Sequence, residues 1–400
     1  MSGDARIAKP TMDREVTPIL RSRHIAFFGH DAGDAAVRRR VRAFRDDGVR
    51  VTGFMMRRGE ASAREWKNVD LGQTADGAFL RRIRQIFLGA VTAARHREDL
   101  AAADVIIARN LDMLACAFLA KRKAKLDTPV IYEALDIHRL LTRKDIIGRG
   151  MRWLEGQLLR RTTGLLVSSP AFLRNHFERY YPGQYRPFLI ENRLAAGADY
   201  GNRPPVERAH GGRPLHLGWV GNLRCQRSFA LLCELADRFP GALEVHLHGV
   251  PARREIQVFE PEIAKRSNMS FHGRYKSPED LKAIYAGLDL VWAGDFMEAG
   301  FNSVWLLPNR IYEGGYYCVP ALAPAGTETA SWIGLRHGGF VVEEPLAATL
   351  AELISSLATD REPIVACAKA LAACPDTDFV QPAGLLADIL EQALCGAGPR

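Results

Sequence analysis

Four hundred residues, 47% hydrophobic and 25% charged, make a chain too long for one ordinary core and too apolar to stay disordered, so two globular domains are expected. The net charge of +8 is unevenly carried: residues 1–200 hold 36 Lys and Arg against 23 Asp and Glu, whereas residues 201–400 hold 18 against 23. The first half should therefore face something anionic. Seven cysteines without a CxxC pair or zinc-like His spacing argue against a disulfide framework and a structural metal site, and fit a reducing compartment. Met1 to Leu20 lacks a signal-peptide core, and no window approaches eighteen uninterrupted apolar residues, so a cytoplasmic location without a membrane span is expected.

Apolar runs with turn-like ends alternate with helical-period stretches from the start. His24 to Phe28, Val49 to Met56, Asp104 to Ala108, Pro129 to Tyr132, Gly164 to Val167 and Pro187 to Ile190 read as strands. Helices are predicted between them at Asp34 to Arg45, Gly77 to Arg97, Asp112 to Lys125, Asp145 to Arg161 and Pro170 to Tyr180. Parallel strands need crossover helices, so this rhythm predicts a doubly wound α/β domain. Leu194 to Pro214, rich in Gly and Pro and without period, reads as a linker. The rhythm then restarts with LHLGWVG, LEVHLHG, MSFHG, LDLVWAG, VPALA and GGFVV, giving a second doubly wound domain. The domains are expected at 1–200 and 201–380, with 381–400 a closing amphipathic helix returning to the first domain. Ligands of open α/β sheets bind at the carboxyl ends of strands, so a cleft between the two domains is the expected site.

In the second half, the strand Leu215 to Val220 leads into Gly221-Asn222-Leu223-Arg224, with Arg227 following. Small residues there let backbone N–H groups approach phosphate oxygens, and Arg224 or Arg227 can neutralise them, although a glycine after a strand is also an ordinary tight turn. In Pro308-Asn309-Arg310-Ile311-Tyr312-Glu313, Pro308 suits a helix start, Asn309 and Arg310 sit near its positive end, and Glu313 falls one turn on. That carboxylate either takes the hydroxyls of a ribose or complements the helix dipole.

In the first half, Asp136 and His138 end a buried strand, where they can serve as general base or orient a substrate; helix capping by Asp136 is the plain alternative. Gly29, Asp31 and Gly33 form a loop after the first strand whose glycines allow close backbone approach to a ligand. This loop fails the GxGxxG pattern, so no nicotinamide cofactor is expected.

GWVGNLR, FHGRYKSPEDLKAIYAGLDLVWAGD, NSVWLLPNRIYEGGYYCVPALA, YEALDIHRLL and LLVSSPAFLRNHF together resemble the GT-B glycosyltransferases of bacterial exopolysaccharide assembly, over about residues 24–345. The likeness is to the succinoglycan-type branch of the family 4-like group. It implies two Rossmann-like domains, a nucleotide-sugar donor on the C-terminal one and the acceptor on the N-terminal one. It places Glu313 on the donor ribose, with Pro308, Asn309 and Arg310 completing the motif and Gly221 and Arg224 in the phosphate loop. Tyr275 falls where a ring stacks on the nucleobase, or is a surface turn residue. The Glu-x7-Glu pair of many retaining members is broken here by Trp305, so Asp295 or Glu298 is expected to fill the missing position, and the stereochemical outcome stays open. No metal or other cofactor is implied, since helix ends and basic groups hold the diphosphate in this fold, and no D-x-D motif occurs.

The expected activity is hexose transfer from a nucleotide sugar, UDP-linked by preference, to a lipid-carried saccharide. A sugar-nucleotide epimerase of the same fold and a basic nucleic-acid binder are the alternatives, and the second lacks any nucleic-acid signature beside the charge. A lipid acceptor implies work at the inner membrane surface. From Phe79 to Arg97, Phe79, Leu80, Ile83, Ile86, Phe87, Ala90 and Val91 recur at helical spacing beside Arg81, Arg82, Arg84, Arg95 and Arg97. Such a helix either lies in the headgroup plane or packs its stripe on the sheet.

Overall fold

The computed structural model describes residues 23–58, 65–73, 79–204, 212–298 and 300–395. The chain divides into two compact units, Asn192–Gln381 and Met1–Glu191 with Pro382–Arg400. The expected polar start, Met1 to Leu20, lies outside the described residues.

The first unit is a seven-stranded sheet of order β3-β2-β1-β4-β5-β6-β7, parallel throughout. Its strands are β1 (His24–Gly29), β2 (Arg50–Arg57), β3 (Lys67–Gln73), β4 (Val105–Arg109), β5 (Val130–Ala134), β6 (Gly164–Val167) and β7 (Pro187–Leu189). Helices α1 (Ala35–Asp46), α2 (Phe79–Arg95), α3 (Asn110–Ala124), α4 (Arg139–Thr142) and α5 (Ile146–Leu159) lie along its crossovers. Every residue of β1, β4 and β5 is buried, as central parallel strands covered on both faces must be. Asp34 starts α1 by accepting the Ala36 and Val37 N–H groups at 2.8 and 3.1 Å, and Asp145 starts α5 by accepting that of Gly148 at 3.0 Å. Strand β3 was not anticipated: only Val69 and Leu71 of KNVDLGQ face inward, too short an alternation to stand out on an edge strand.

The second unit is a six-stranded parallel sheet of order β10-β9-β8-β11-β12-β13. It contains β8 (Leu215–Leu223), β9 (Leu243–Pro251), β10 (Met269–Gly273), β11 (Leu290–Trp292), β12 (Ala321–Pro324) and β13 (Gly339–Val342). Helices α6 (Gln226–Arg238), α7 (Leu281–Ala286) and α8 (Asn309–Tyr316) flank it. One face buries Trp219, Phe229, Leu232, Leu247 and Phe259; the other buries Val220, Tyr285, Ile311, Tyr312 and Tyr317.

The start of the expected linker belongs to this second unit. Leu194 pairs with the Phe379–Gln381 segment through backbone bonds of 2.9 and 2.8 Å, and the Tyr200 carbonyl accepts the Tyr317 hydroxyl at 3.0 Å. Glycine and proline make this stretch irregular, but Leu194 and Tyr200 anchor it in the core, and residues 205–211 lie outside the described ones. The chain then returns to the first unit as α9 (Leu385–Cys395), which buries Leu386, Ile389, Leu390 and Ala393 there. Asp47 accepts the Gly384 and Leu386 N–H groups at 2.8 and 2.9 Å and fixes where α9 begins.

Strand order reverses between β1 and β4 and again between β8 and β11. Loops leaving such neighbours diverge, and each sheet opens a crevice at its carboxyl edge there.

Candidate functional site

At the β8/β11 switch point of the second unit, Arg224 follows β8 and Asp295 follows β11. Arg224 Nε donates to Asp295 Oδ2 at 3.0 Å. The other carboxylate oxygen accepts the Met297 N–H and the Ser303 hydroxyl, each at 2.9 Å. Burial works against the charge on Asp295, but Arg224, these two donors and Arg310 outweigh it and hold the carboxyl below its usual range.

Helix α8 starts after Pro308, whose fixed φ of −75° leads the chain into it. Asn309 is half-buried at its first position, and Arg310 is buried with Nη1 donating to the Trp292 carbonyl at 3.4 Å, at the end of β11. Glu313, 3% exposed, accepts the Tyr285 hydroxyl of α7 on Oε2 at 2.8 Å. Burial and the Glu313 carboxylate push the Tyr285 phenol well above its ordinary pKa, so it stays a donor. Tyr275, half-buried in the loop after β10, packs against the same core.

Arg224, Tyr275, Asp295, Asn309, Arg310 and Glu313 thus lie on elements converging at one carboxyl edge. Two guanidiniums can meet phosphate oxygens there, and a carboxylate can accept hydroxyl protons. Arg227 does not share this arrangement: it pairs with Glu344 at 2.6 Å and lies over the Phe296 ring at 4.5 Å. Gly221 does not end its strand either, because β8 continues to Leu223. It has φ +113°, and its carbonyl lies so close to Gly249 that a Cβ on Gly249 would stand 1.7 Å away. The turn into α6 is Arg224-Cys225, with the Cys225 sulfur accepting the Ser228 N–H. Asp295, rather than Glu298, occupies the buried acidic position; Glu298 donates its backbone N–H to Ser303 Oγ at 2.9 Å. Tyr285 and Ser303 carry no signal in the sequence, since their partners lie 28 and 8 residues away.

In the first unit, Asp136 and His138 follow β5 and are exposed. The helix cap expected of Asp136 belongs to His138, whose Nδ1 accepts the Leu140 N–H at 3.3 Å. That bond places the ring proton on Nε2. Partial burial and the Arg82 guanidinium lower the His138 pKa, so the ring is neutral at pH 7. In the Gly29–Asp34 loop, Ala32 N–H reaches the Met56 carbonyl at 2.9 Å and Gly33 N–H reaches Asp31 Oδ1 at 2.8 Å.

Sequence reading missed the buried charges at the β1/β4 switch point. Arg109, the last residue of β4, donates to Glu133 Oε2 at 2.8 Å, and Arg40 of α1 donates to Oε1 at 2.9 Å. All three are buried, two guanidiniums against one carboxylate. Arg109 Nη1 and His30 Nδ1 are buried without hydrogen-bond partners among the described residues. Their sequence separation, 24 and 93 residues for the two arginine contacts, hides the group.

No family model matches the chain. It is 39% identical over 339 residues to the succinoglycan biosynthesis protein ExoL of Rhizobium meliloti (strain 1021), covering 83% of this chain and 84% of that protein. Among solved structures, sucrose-phosphate synthase from Thermosynechococcus elongatus superposes with a TM-score of 0.71 at 13% identity, covering 94% of this chain and all of the other. Anabaena Alr3699/HepE in complex with UDP and glucose superposes at 0.66 and 14% identity, covering 92% of this chain and 99% of the other. The lipopolysaccharide glycosyltransferase WaaG does so at 0.58 and 15% identity, covering 91% and 99%. With two parallel sheets in the GT-B arrangement of strands and a curated relative of this identity and coverage, the chain belongs to the GT-B glycosyltransferases of bacterial exopolysaccharide biosynthesis, in the succinoglycan-type branch that includes ExoL.

Proposed function

We propose that this glycosyltransferase moves a sugar from a UDP-linked donor to a lipid-linked saccharide, working at the inner membrane surface. The observation that carries the donor reading is the buried Glu313, held by Tyr285 beside Arg310 and the Arg224–Asp295 pair. Glu313 takes the ribose hydroxyls, Tyr275 borders the base, and Arg224, Arg310 and the α8 N-terminus with Asn309 receive the diphosphate. Complexes of HepE with UDP, glucose and UDP-glucose support a uridine donor.

In the reaction the acceptor oxygen bonds to the anomeric carbon, the bond from that carbon to the diphosphate breaks, and UDP leaves with the electron pair. Arg224 and Arg310 stabilise the charge gathering on the leaving group. Asp136, two residues from neutral His138, takes the proton of the acceptor hydroxyl. Fixed cations supply the charge neutralisation, so the transfer needs no metal.

Membrane contact is supported by α2. Its inward face carries Gly89, Ala90 and Ala93, while Ile83, Phe87 and Leu88 are 37%, 53% and 46% exposed beside exposed Arg84. The apolar stripe is thereby split, Ala90 inward and Phe87 outward. Arg82 is drawn to Asp112 at 2.6 Å, and the side chains of Phe79, Leu80 and Arg81 lie outside the described residues. Among the described residues no helix is long and apolar enough to cross a membrane.

A thermal-shift screen over UDP-, GDP- and dTDP-sugars tests the donor class, because a ligand of the folded state raises apparent stability with its affinity. Stabilisation by UDP-sugars alone is expected; a preference for GDP- or dTDP-sugars would overturn the uridine assignment.

A further inference from the structure

Four histidines stand on three neighbouring strands of the second unit: His216 on β8, His246 and His248 on β9, and His272 on β10. On β9 the pattern Val245-His246-Leu247-His248 alternates, so Val245 and Leu247 enter the core and both imidazoles project from the opposite face. Parallel pairing then brings the rings together, with His272 in the register shift between Phe271 and Gly273. His216 Nδ1 lies 3.0 Å from His246 Nε2, and His246 Nδ1 lies 3.1 Å from His272 Nε2. His248 stacks on His272 with centroids 4.3 Å apart. Glu244, paired with His216 across the strands, places Oε2 3.6 Å from His246 Nε2 and 3.7 Å from His216 Nε2.

Each neutral imidazole carries one ring N–H and one lone pair, so a row of them facing a carboxylate offers several ligand atoms. We propose that His216, Glu244 and His246 bind a divalent transition-metal ion of the zinc type. Their ligand atoms all lie within 4.8 Å of one another. Zinc bonds of about 2.0 to 2.2 Å in a tetrahedron set ligand separations of about 3.3 to 3.6 Å, and Glu244 Oε2 lies 3.6 Å from His246 Nε2 and 3.7 Å from His216 Nε2. Two imidazoles and one carboxylate suit zinc better than magnesium or calcium, which take oxygen ligands. The fourth position is left to water.

His272 completes the arrangement as a positioning residue. With Nε2 of His246 on the metal, its Nδ1–H donates to His272 Nε2, the outer-shell bond that fixes tautomer and ring orientation in such sites. The ligands sit toward the amino ends of β8 and β9, whereas Arg224, Asp295 and Glu313 lie at the carboxyl edge. The ion therefore ties β8 to β9 and, through His272, to edge strand β10, without entering the transfer reaction.

Titration of the untagged full-length protein with Zn²⁺ by calorimetry, with melting temperature followed in parallel, tests the site. One saturable equivalent per chain is expected, with a rise in melting temperature. His246→Gln and Glu244→Gln should each remove that equivalent, and Glu244, 42% exposed, can be replaced without disturbing the core. His272→Phe should weaken binding about 10- to 100-fold, the usual loss for an outer-shell partner. No saturable binding, or binding unchanged in both Gln variants, overturns the proposal. So does loss of the equivalent on Cys395→Ser, which would assign the ion to that exposed thiol.

Discussion

Tyr285 donates its hydroxyl to Glu313 at 2.8 Å, and neither side chain is more than 3% exposed. A carboxylate in that position is held in one orientation by a donor 28 residues away in sequence. Removing the phenol hydroxyl leaves a buried acceptor short of one partner, at a cost of about 1 to 3 kcal/mol. Tyr285→Phe should therefore lower the melting temperature and weaken donor-nucleotide binding together. Binding that stays at the wild-type level would mean that the Glu313 orientation does not matter to the donor.

Glu313→Gln keeps shape and removes charge. If the carboxylate takes the ribose hydroxyls, calorimetry against the preferred nucleotide sugar should show a loss of about 1.5 to 3 kcal/mol, the range for a charge-assisted hydrogen bond. An unchanged dissociation constant excludes that role.

Asp136→Asn should reduce turnover about 10²- to 10⁴-fold with little change in donor affinity, as for loss of a general base. His138→Asn is the useful companion, because asparagine can still accept the Leu140 N–H and preserve the α4 cap. Near-normal turnover in Asp136→Asn would assign these residues to sugar positioning, and NMR of the product anomer would then report the stereochemistry.

Asp295 carries a pH signature. Its folded pKa is depressed below the ordinary 3.8 by Arg224, the Met297 N–H, Ser303 and Arg310 acting against burial. The stabilisation is thus complete above the unfolded value and is lost as pH falls through the lower folded value. Melting temperature followed from about pH 5 to pH 2 should drop less steeply in Asp295→Asn than in wild type. Parallel curves would show that the pair contributes nothing to acid stability.

At the first unit's switch point, burial opposes the charge on Glu133, but Arg109 and Arg40 hold it ionised. Glu133→Gln leaves two buried guanidiniums facing a neutral amide and should destabilise that unit by about 3 to 5 kcal/mol, read from urea denaturation. Phe87→Glu, on the exposed face of α2, should leave stability alone and reduce co-sedimentation with anionic vesicles. Equal pelleting of wild type and variant would remove α2 from membrane contact.

The sequence by itself determined the two parallel sheets, because runs such as VIIAR and LLV can be buried on both faces only between crossover helices. It also placed Arg310 and Glu313 on one helix, since their spacing is local. Tertiary structure decided what no spacing contains: that Tyr285 meets Glu313, that Arg224 meets Asp295 while Arg227 turns to Glu344, and that Leu194 and Tyr200 anchor a segment resembling a linker. It also aligned His216, His246 and His272, which show no metal-ligand spacing because they occupy three different strands. Local periodicity fixes which face of an element turns inward. Register and strand order, set by packing over tens of residues, fix which side chains then meet.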